Sequence, residues 1–451
     1  MNPSVNPMQP MKHLTLGLLP AGLLFAGLPF AGVGAAQDVV AVKAGRVITM
    51  AGPDLENATV LIENGRIKAI GKDLEVPWNA KVIEATDKTV MPTWVLAHQS
   101  GGLYGGGAEN LQNVPYLTVS DAIDPSAEFF EDALRNGVGT IHVLPPHRTL
   151  IGGQGMVLRP YGRTVADMTV QTRSVLKLSL LGAQGTSRTG QIQRLRRAIE
   201  EVQEYVKDFE RRKQEFAKEQ AAGAQPADKT FDDEFDKTKK PVAELLGGKR
   251  RAHLYVPGAA ELPEALRLTT QYSFETVLVL GARCHKSAAL LKNQKHPVVL
   301  DAQVELRETD PETDTETVVC LAAVLGKLGV PFAMSLDDQG RGSAPGRYPW
   351  WQMGVAMRHG LERKTALEAF TIVPAQLLEL QDQVGTLETG KVANLQILTG
   401  DPLKPTTWVE KVVLDGQLVY EREKDPRLEH LLGKDREKPV RSEPARKTSE
   451  N

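Results

Sequence analysis

Val90-Met91-Pro92-Thr93-Trp94-Val95-Leu96-Ala97-His98-Gln99-Ser100 passes from an apolar run into a polar end. The run predicts a strand, and on a strand His98 and Ser100, two residues apart, point to the same side. A divalent metal held at such a strand end needs several converging donors. This end offers a single imidazole, His98, and a hydroxyl, Ser100.

On the N-terminal side of that strand, short alternating segments lie at Val39–Val42, Arg46–Thr49, Thr59–Ile62 and Arg66–Ile70. Asn64-Gly65 separates the last two, and alternation around such a pair predicts antiparallel hairpins. A second alternating group, Asn394–Leu398 and Lys411–Tyr420, comes near the end of the chain. The two groups predict one small sheet domain with the rest of the chain inserted between them. The inserted part alternates helical stretches with apolar strands at Gly139–Leu144, Val175–Leu180, Thr276–Leu280, Pro297–Leu300 and Pro331–Leu336. Apolar strands separated by helices predict a parallel α/β architecture. Their number allows a TIM-like barrel and leaves its closure open.

Arg188 to Glu219 is dense in Arg, Glu, Gln and Lys, with Ile192, Leu195, Ile199, Val202, Val206 and Phe209 near helical spacing. It predicts a long amphipathic helix, followed by a flexible insertion to Lys240. From Asp425 the chain is charged and proline-containing, which predicts a disordered tail over 425–451. At the other end, Met11-Lys12-His13 precede an apolar stretch from Leu14 to Val33 and then Gly34-Ala35-Ala36. That order predicts a signal peptide over 1–36 and export to the periplasm or medium, with an uncleaved anchor as the alternative.

A net charge of -2 over 451 residues gives no field that would gather nucleic acid, so none is expected as a partner. Two cysteines, Cys284 and Cys320, exclude a disulfide framework but leave a single bridge open. The glycine-rich stretches at Gly101–Gly107 and Gly152–Gly155 lack the Lys-Ser/Thr ending of a phosphate loop and any dinucleotide fingerprint. Arg341 to Trp351 is predicted to line the barrel mouth, with Arg347, Trp350 and Trp351 as ligand-contacting residues. The alternative is that both tryptophans pack the following helix.

The stretch around His98 resembles the first barrel strand of the amidohydrolase superfamily, in which an apolar run ends in two histidines one residue apart. The chain from about 39 to 424 is similar to the imidazolonepropionase-related branch. The similarity is carried by Asp121–Pro125, Gly137–Thr140, Ile151–Gly155, Thr371–Leu378 and Val384–Leu395. The resemblance implies a distorted TIM (β/α) barrel, residues 91–384, with charged helix and insertion at 188–240. It also implies a composite β-sandwich domain made from 37–90 and 385–424. In active relatives a metal lowers the pKa of bound water and an aspartate of the last strand moves the proton.

Carried over position by position, the resemblance gives His98 the first histidine place and puts Ser100 in the second. The fifth-strand histidine places fall at Tyr255 and Pro257, and the sixth at Leu280. The catalytic aspartate falls at Asp337, or at Asp338 if the register slips. If a metal is bound, its ligands are His98, Asp337 and Lys177, the last where some relatives use a modified lysine. Most ligand places being replaced, no cofactor is expected, with zinc or another divalent metal in the active alternative. His142, His253 and His285 are read as structural histidines held by hydrogen bonds, and a Ser100–His98 nucleophile pair lacks a third member.

The expected function is an exported, non-catalytic homologue with an eroded metal site that binds a small molecule at the barrel mouth or a protein partner. The alternative is an active metal-dependent hydrolase of amide or cyclic amide C–N bonds with a rearranged site. A homo-oligomer, or a hetero-oligomer with a related amidohydrolase, is the expected assembly.

Overall fold

The computed structural model describes residues 39–104, 112–182, 185–223, 228, 230–231, 235–336 and 348–432. Seven strands form one sheet in the spatial order Gln417–Glu421, Val409–Leu414, Leu395–Leu398, Lys81–Pro92, Val39–Val47, Leu55–Glu63, Arg66–Gly71. The outer three come from the C-terminal segment and the other four from the N-terminal one, so the sheet is composite as the alternation predicts. Leu395–Leu398 closes it by pairing antiparallel with Lys81–Pro92, Leu395 opposite Pro92. Val42, Val60, Ile62, Ile67, Val90, Leu395 and Val413 are buried together on one face.

The hairpin turns of the two halves meet at their tips. Asn64 and Gly65 have φ of 51° and 77°, and Asp415 and Gly416 have φ of 50° and 76°. Both pairs therefore sit in the left-handed region that two-residue hairpin turns require. A side chain on Gly65 would come within 2.8 Å of the Asp415 carbonyl oxygen.

The Lys81–Pro92 strand hands over at Thr93 to Trp94–Gln99, the first strand of a distorted (β/α) barrel. Trp94–Gln99 pairs parallel with Val138–Val143, which pairs antiparallel with Met156–Leu158. The preceding Ile151–Gln154 pairs with Val175–Ser179, so the stretch from Ile151 to Leu158 joins two arcs of the wall. Val175–Ser179, Arg251–Gly258, Thr276–Arg283, Val298–Leu300 and Ala333–Met334 then follow in parallel. Between the last and first strands the seam is made by Ala369 and Phe370. The Met334 N–H donates to the Ala369 carbonyl (3.0 Å) and the Val95 N–H to the Phe370 carbonyl (2.8 Å). Ser335 Oγ also donates to the His98 carbonyl at 2.7 Å.

Alternation sorts the barrel residues. Leu176, Leu178, Leu254, Val256, Leu278 and Leu280 pack outward with helix residues such as Leu195, Val242 and Leu268. Ala97, Tyr255, Val277, Val279, Val299 and Ala333 pack together on the other side, inside the barrel. Leu280 thus belongs to the helix-facing side, one residue out of phase with the interior.

The charged helix spans Arg188–Ala221. The segment after it, expected to be flexible, is tied back where it is described. Phe231 and Phe235 lie 5.0 and 4.7 Å from the Phe209 ring, and the Asp236 N–H donates to Tyr205 Oη at 2.8 Å. Aromatic pairing supplies the cohesion that composition alone did not show. The start of the tail is also ordered: Asp425, 3% exposed, accepts from Arg135 Nε at 2.6 Å and from Tyr420 Oη at 3.1 Å, and Pro426–Leu432 is helical. Cys284 and Cys320 are both free and buried. No described helix is long and apolar enough to cross a membrane.

Candidate functional site

Four strands and one loop bring four imidazoles, a lysine and a tyrosine together. His98 is the last residue but one of the first strand, His142 lies in the second, and His147 in the loop after it. Lys177 lies in Val175–Ser179, opposite His253 of the next strand, with Tyr255 two residues further on. His98, His142, Lys177 and His253 are fully buried, and His147 and Tyr255 are nearly so.

The rings pack against one another. His147 lies flat on Tyr255, centroids 3.5 Å apart and planes 3° apart, and stacks with His98 at 5.0 Å and 7°. His253 is 6.1 Å from His98 and stands edge-on to His142 at 4.9 Å. Lys177 Nζ is 5.7 Å from the centre of the Tyr255 ring, whose hydroxyl donates to Asp301 Oδ2 at 3.2 Å.

Hydrogen bonds fix the tautomer of one imidazole. His142 Nδ1 is 2.9 Å from the Ala97 carbonyl oxygen, an acceptor only, so Nδ1 carries the proton. Its Nε2 then accepts from Ser174 Oγ at 2.6 Å. His142 is the hydrogen-bonded structural histidine expected, and so is His285, whose Nδ1 donates to the Ala282 carbonyl at 3.2 Å. His253 departs from that expectation. Neither of its ring nitrogens has a hydrogen-bond partner among the described residues.

Burial holds His98, His142 and His253 neutral. His98 is pushed well below the usual histidine range by burial first, then by Lys177, His147 and His142. His253 is lowered in the same way by burial, then by His142, His98, Lys177 and Arg251. His142 is lowered to about 4 by burial, against a raising effect of the Ala97 hydrogen bond.

Would this donor set hold a metal? An imidazole binds a metal through a lone pair in the plane of its ring, so rings stacked face on face do not aim at a common point. Both nitrogens of His142 are engaged. Ser100 and Tyr255 stand where the resemblance places histidines, and Leu280 faces the helices. Among the described residues no three His, Cys, Asp or Glu side chains form a group that could hold a metal ion. The described residues therefore do not fit the metal centre that the resemblance implies.

Of the residues singled out from the sequence, the structure brings His98 and Lys177 into one cluster. Asp337, Asp338 and Arg347 lie outside the described residues. Trp350 and Trp351 start the helix Pro349–Arg358, Trp350 beside Tyr348 (6.0 Å) and Trp351 against the main core. Among the described residues neither makes a ring contact with the histidine cluster. His147 was missed by the sequence reading. Its signal was slight: an imidazole in Pro145-Pro146-His147, three residues past the end of an apolar strand.

No curated protein matches this chain. Among solved structures it is similar to an amidohydrolase from Thermotoga maritima MSB8, with 25% identity and a TM-score of 0.73 over 85% of this chain and all of that one. A second amidohydrolase superposes with a TM-score of 0.51 at 17% identity, over 86% of this chain and 100% of the other, a likeness of fold. The model of the amidohydrolase family matches residues 122–419, more than half of the chain. The chain belongs to the amidohydrolase family.

Proposed function

We propose that this protein is an exported amidohydrolase-family barrel that binds a small organic ligand at the C-terminal end of its strands without metal-dependent hydrolysis. One observation carries the reading: His98, His147 and Tyr255 are stacked ring on ring, in a geometry that serves packing and hydrogen bonding to a ligand rather than shared coordination. The barrel and its site are separate sets of residues, so the fold outlasts a change of chemistry. The sequence order of Met11 to Ala36 supports export.

A second reading, a hydrolase of amide or cyclic amide bonds with a rearranged metal centre, draws on His253, whose two nitrogens have no described partner. Metal analysis after purification in zinc-containing buffer separates the two. Under the first reading the protein carries no stoichiometric metal and turns over neither linear nor cyclic amides. A stoichiometric metal that is lost in His98→Ala overturns it. Size-exclusion chromatography of the chain expressed alone tests the accompanying proposal of an oligomer, a single monomer peak counting against it.

A further inference from the structure

Lys177 is among the largest side chains that are completely buried in this protein. Its neighbours Leu176 and Leu178 pack outward with the helices, which turns Lys177 into the barrel. A lysine ordinarily lays its stem along apolar surface and carries its charged end to water. From the middle of an interior strand this one cannot. Its Nζ stands 5.7 Å from the centre of the Tyr255 ring, on which His147 lies flat, and the residue is the register partner of His253 on the next strand, so it belongs to the imidazole cluster.

His253 provides an independent observation. It is fully buried, and both of its nitrogens are left without a described partner. Leaving buried polar atoms unsatisfied is costly, and a bound polar ligand would remove that cost. A buried amine, an adjacent imidazole with two nitrogens to offer, and a phenol donating to a carboxylate are the parts of a covalent amine site.

We propose that Lys177 captures a small aldehyde or ketone as an imine, with His253 carrying the protons. The inference rests on the reading of the site as one that works without a hydrolytic metal. The lone pair of Nζ forms a bond to the carbonyl carbon, and the carbonyl π pair moves onto oxygen, which takes a proton from an imidazole N–H. The nitrogen gives up a proton to the imidazole's other nitrogen. The carbinolamine hydroxyl then takes the imidazole's N–H proton and leaves as water while the C=N bond forms, and the nitrogen's remaining proton returns to the imidazole. Amine and carbonyl compound become imine and water, and nothing is oxidised or reduced.

The test is trapping. The full chain is incubated separately with glycolaldehyde, pyruvate and acetone, sodium borohydride is added, and the reduced adduct is located by peptide mass mapping. At least one probe is expected to give a single adduct at Lys177, absent from Lys177→Arg. In His253→Gln, adduct formation is expected to be about a hundredfold slower. Because the wild-type map needs no variant, a misfolded Lys177→Arg does not block the test. Labelling of surface lysines alone by all three probes overturns the proposal, and an unchanged rate in His253→Gln overturns the part given to His253. A stoichiometric metal overturns the underlying reading whatever the adduct map shows. A metal-free protein without the adduct overturns only the imine.

Discussion

At the start of the Trp94–Gln99 strand, space is the controlling quantity, while at its far end polarity is. At the start, Gly139 leaves no room for a side chain against Thr93, and Gly137, with φ of 74°, lies against the Gln396 side chain. Gln396, fully buried, donates from Nε2 to the Pro92 carbonyl at 3.0 Å. Every feature there fixes how the composite sheet meets the barrel. Near the far end of the strand His98 stands among three other imidazoles and a buried lysine, with neither nitrogen of His253 bonded to a described neighbour. A barrel commonly keeps stability at the N-terminal ends of its strands and function at the C-terminal ends. The site proposed for this chain lies at the polar end, where that division would put it.

The largest expected effect comes from the polar end. His98, His142 and His253 have folded pKa values below their unfolded value of about 6.5. The unfolded chain therefore binds more protons as the pH falls. The stability these groups contribute is complete above about 6.5 and is lost as the pH drops toward the folded values. Each proton taken up costs about 1.4 kcal/mol per pH unit, so three together approach a limiting fall of about 4 kcal/mol per unit below the unfolded value. Urea midpoints measured from pH 7 to pH 5 check this. A flat profile would show that the cluster is not held neutral and would erase the contrast between the two ends.

Next comes the tight end. Gly139→Val forces a branched side chain into Thr93 and is expected to cost about 3 kcal/mol by equilibrium unfolding. A loss below about 1 kcal/mol would mean that the junction yields easily. Smallest is Gln396→Leu, which keeps the volume and removes the donor to Pro92. A loss of about 1–2 kcal/mol is expected, with no change in ligand binding. Altered binding would show that the two ends communicate.

How far the sequence showed each end follows from the range of the signals. Asn64-Gly65 states its turn geometry within two residues, and alternation marks both groups of strands, so the composite sheet could be read from widely separated parts of the chain; the Asp415-Gly416 turn that divides Lys411–Tyr420 into two strands was not singled out. His98 was legible because it ends an apolar run. Lys177 was legible only through the family resemblance, since a single lysine in an apolar strand carries no periodic signal. Leu280 shows the limit of matching by position, because a shift of one residue exchanges the faces of a strand. The gathering of His147, His253 and Tyr255 around His98 depends on closing the barrel, which no local pattern encodes. His147, in a loop, had no alternation to mark it.

The partner of Pro92 lies 304 residues further along the chain. During synthesis the Lys81–Pro92 strand emerges early and waits with one edge exposed until Leu395–Leu398 is made. Pairings of such long range are slow to form, and open strand edges invite association with other chains. Maturation of this protein should therefore be limited by the arrival of its own C-terminal segment, and truncation before Leu395 should yield an aggregating product rather than a smaller soluble barrel.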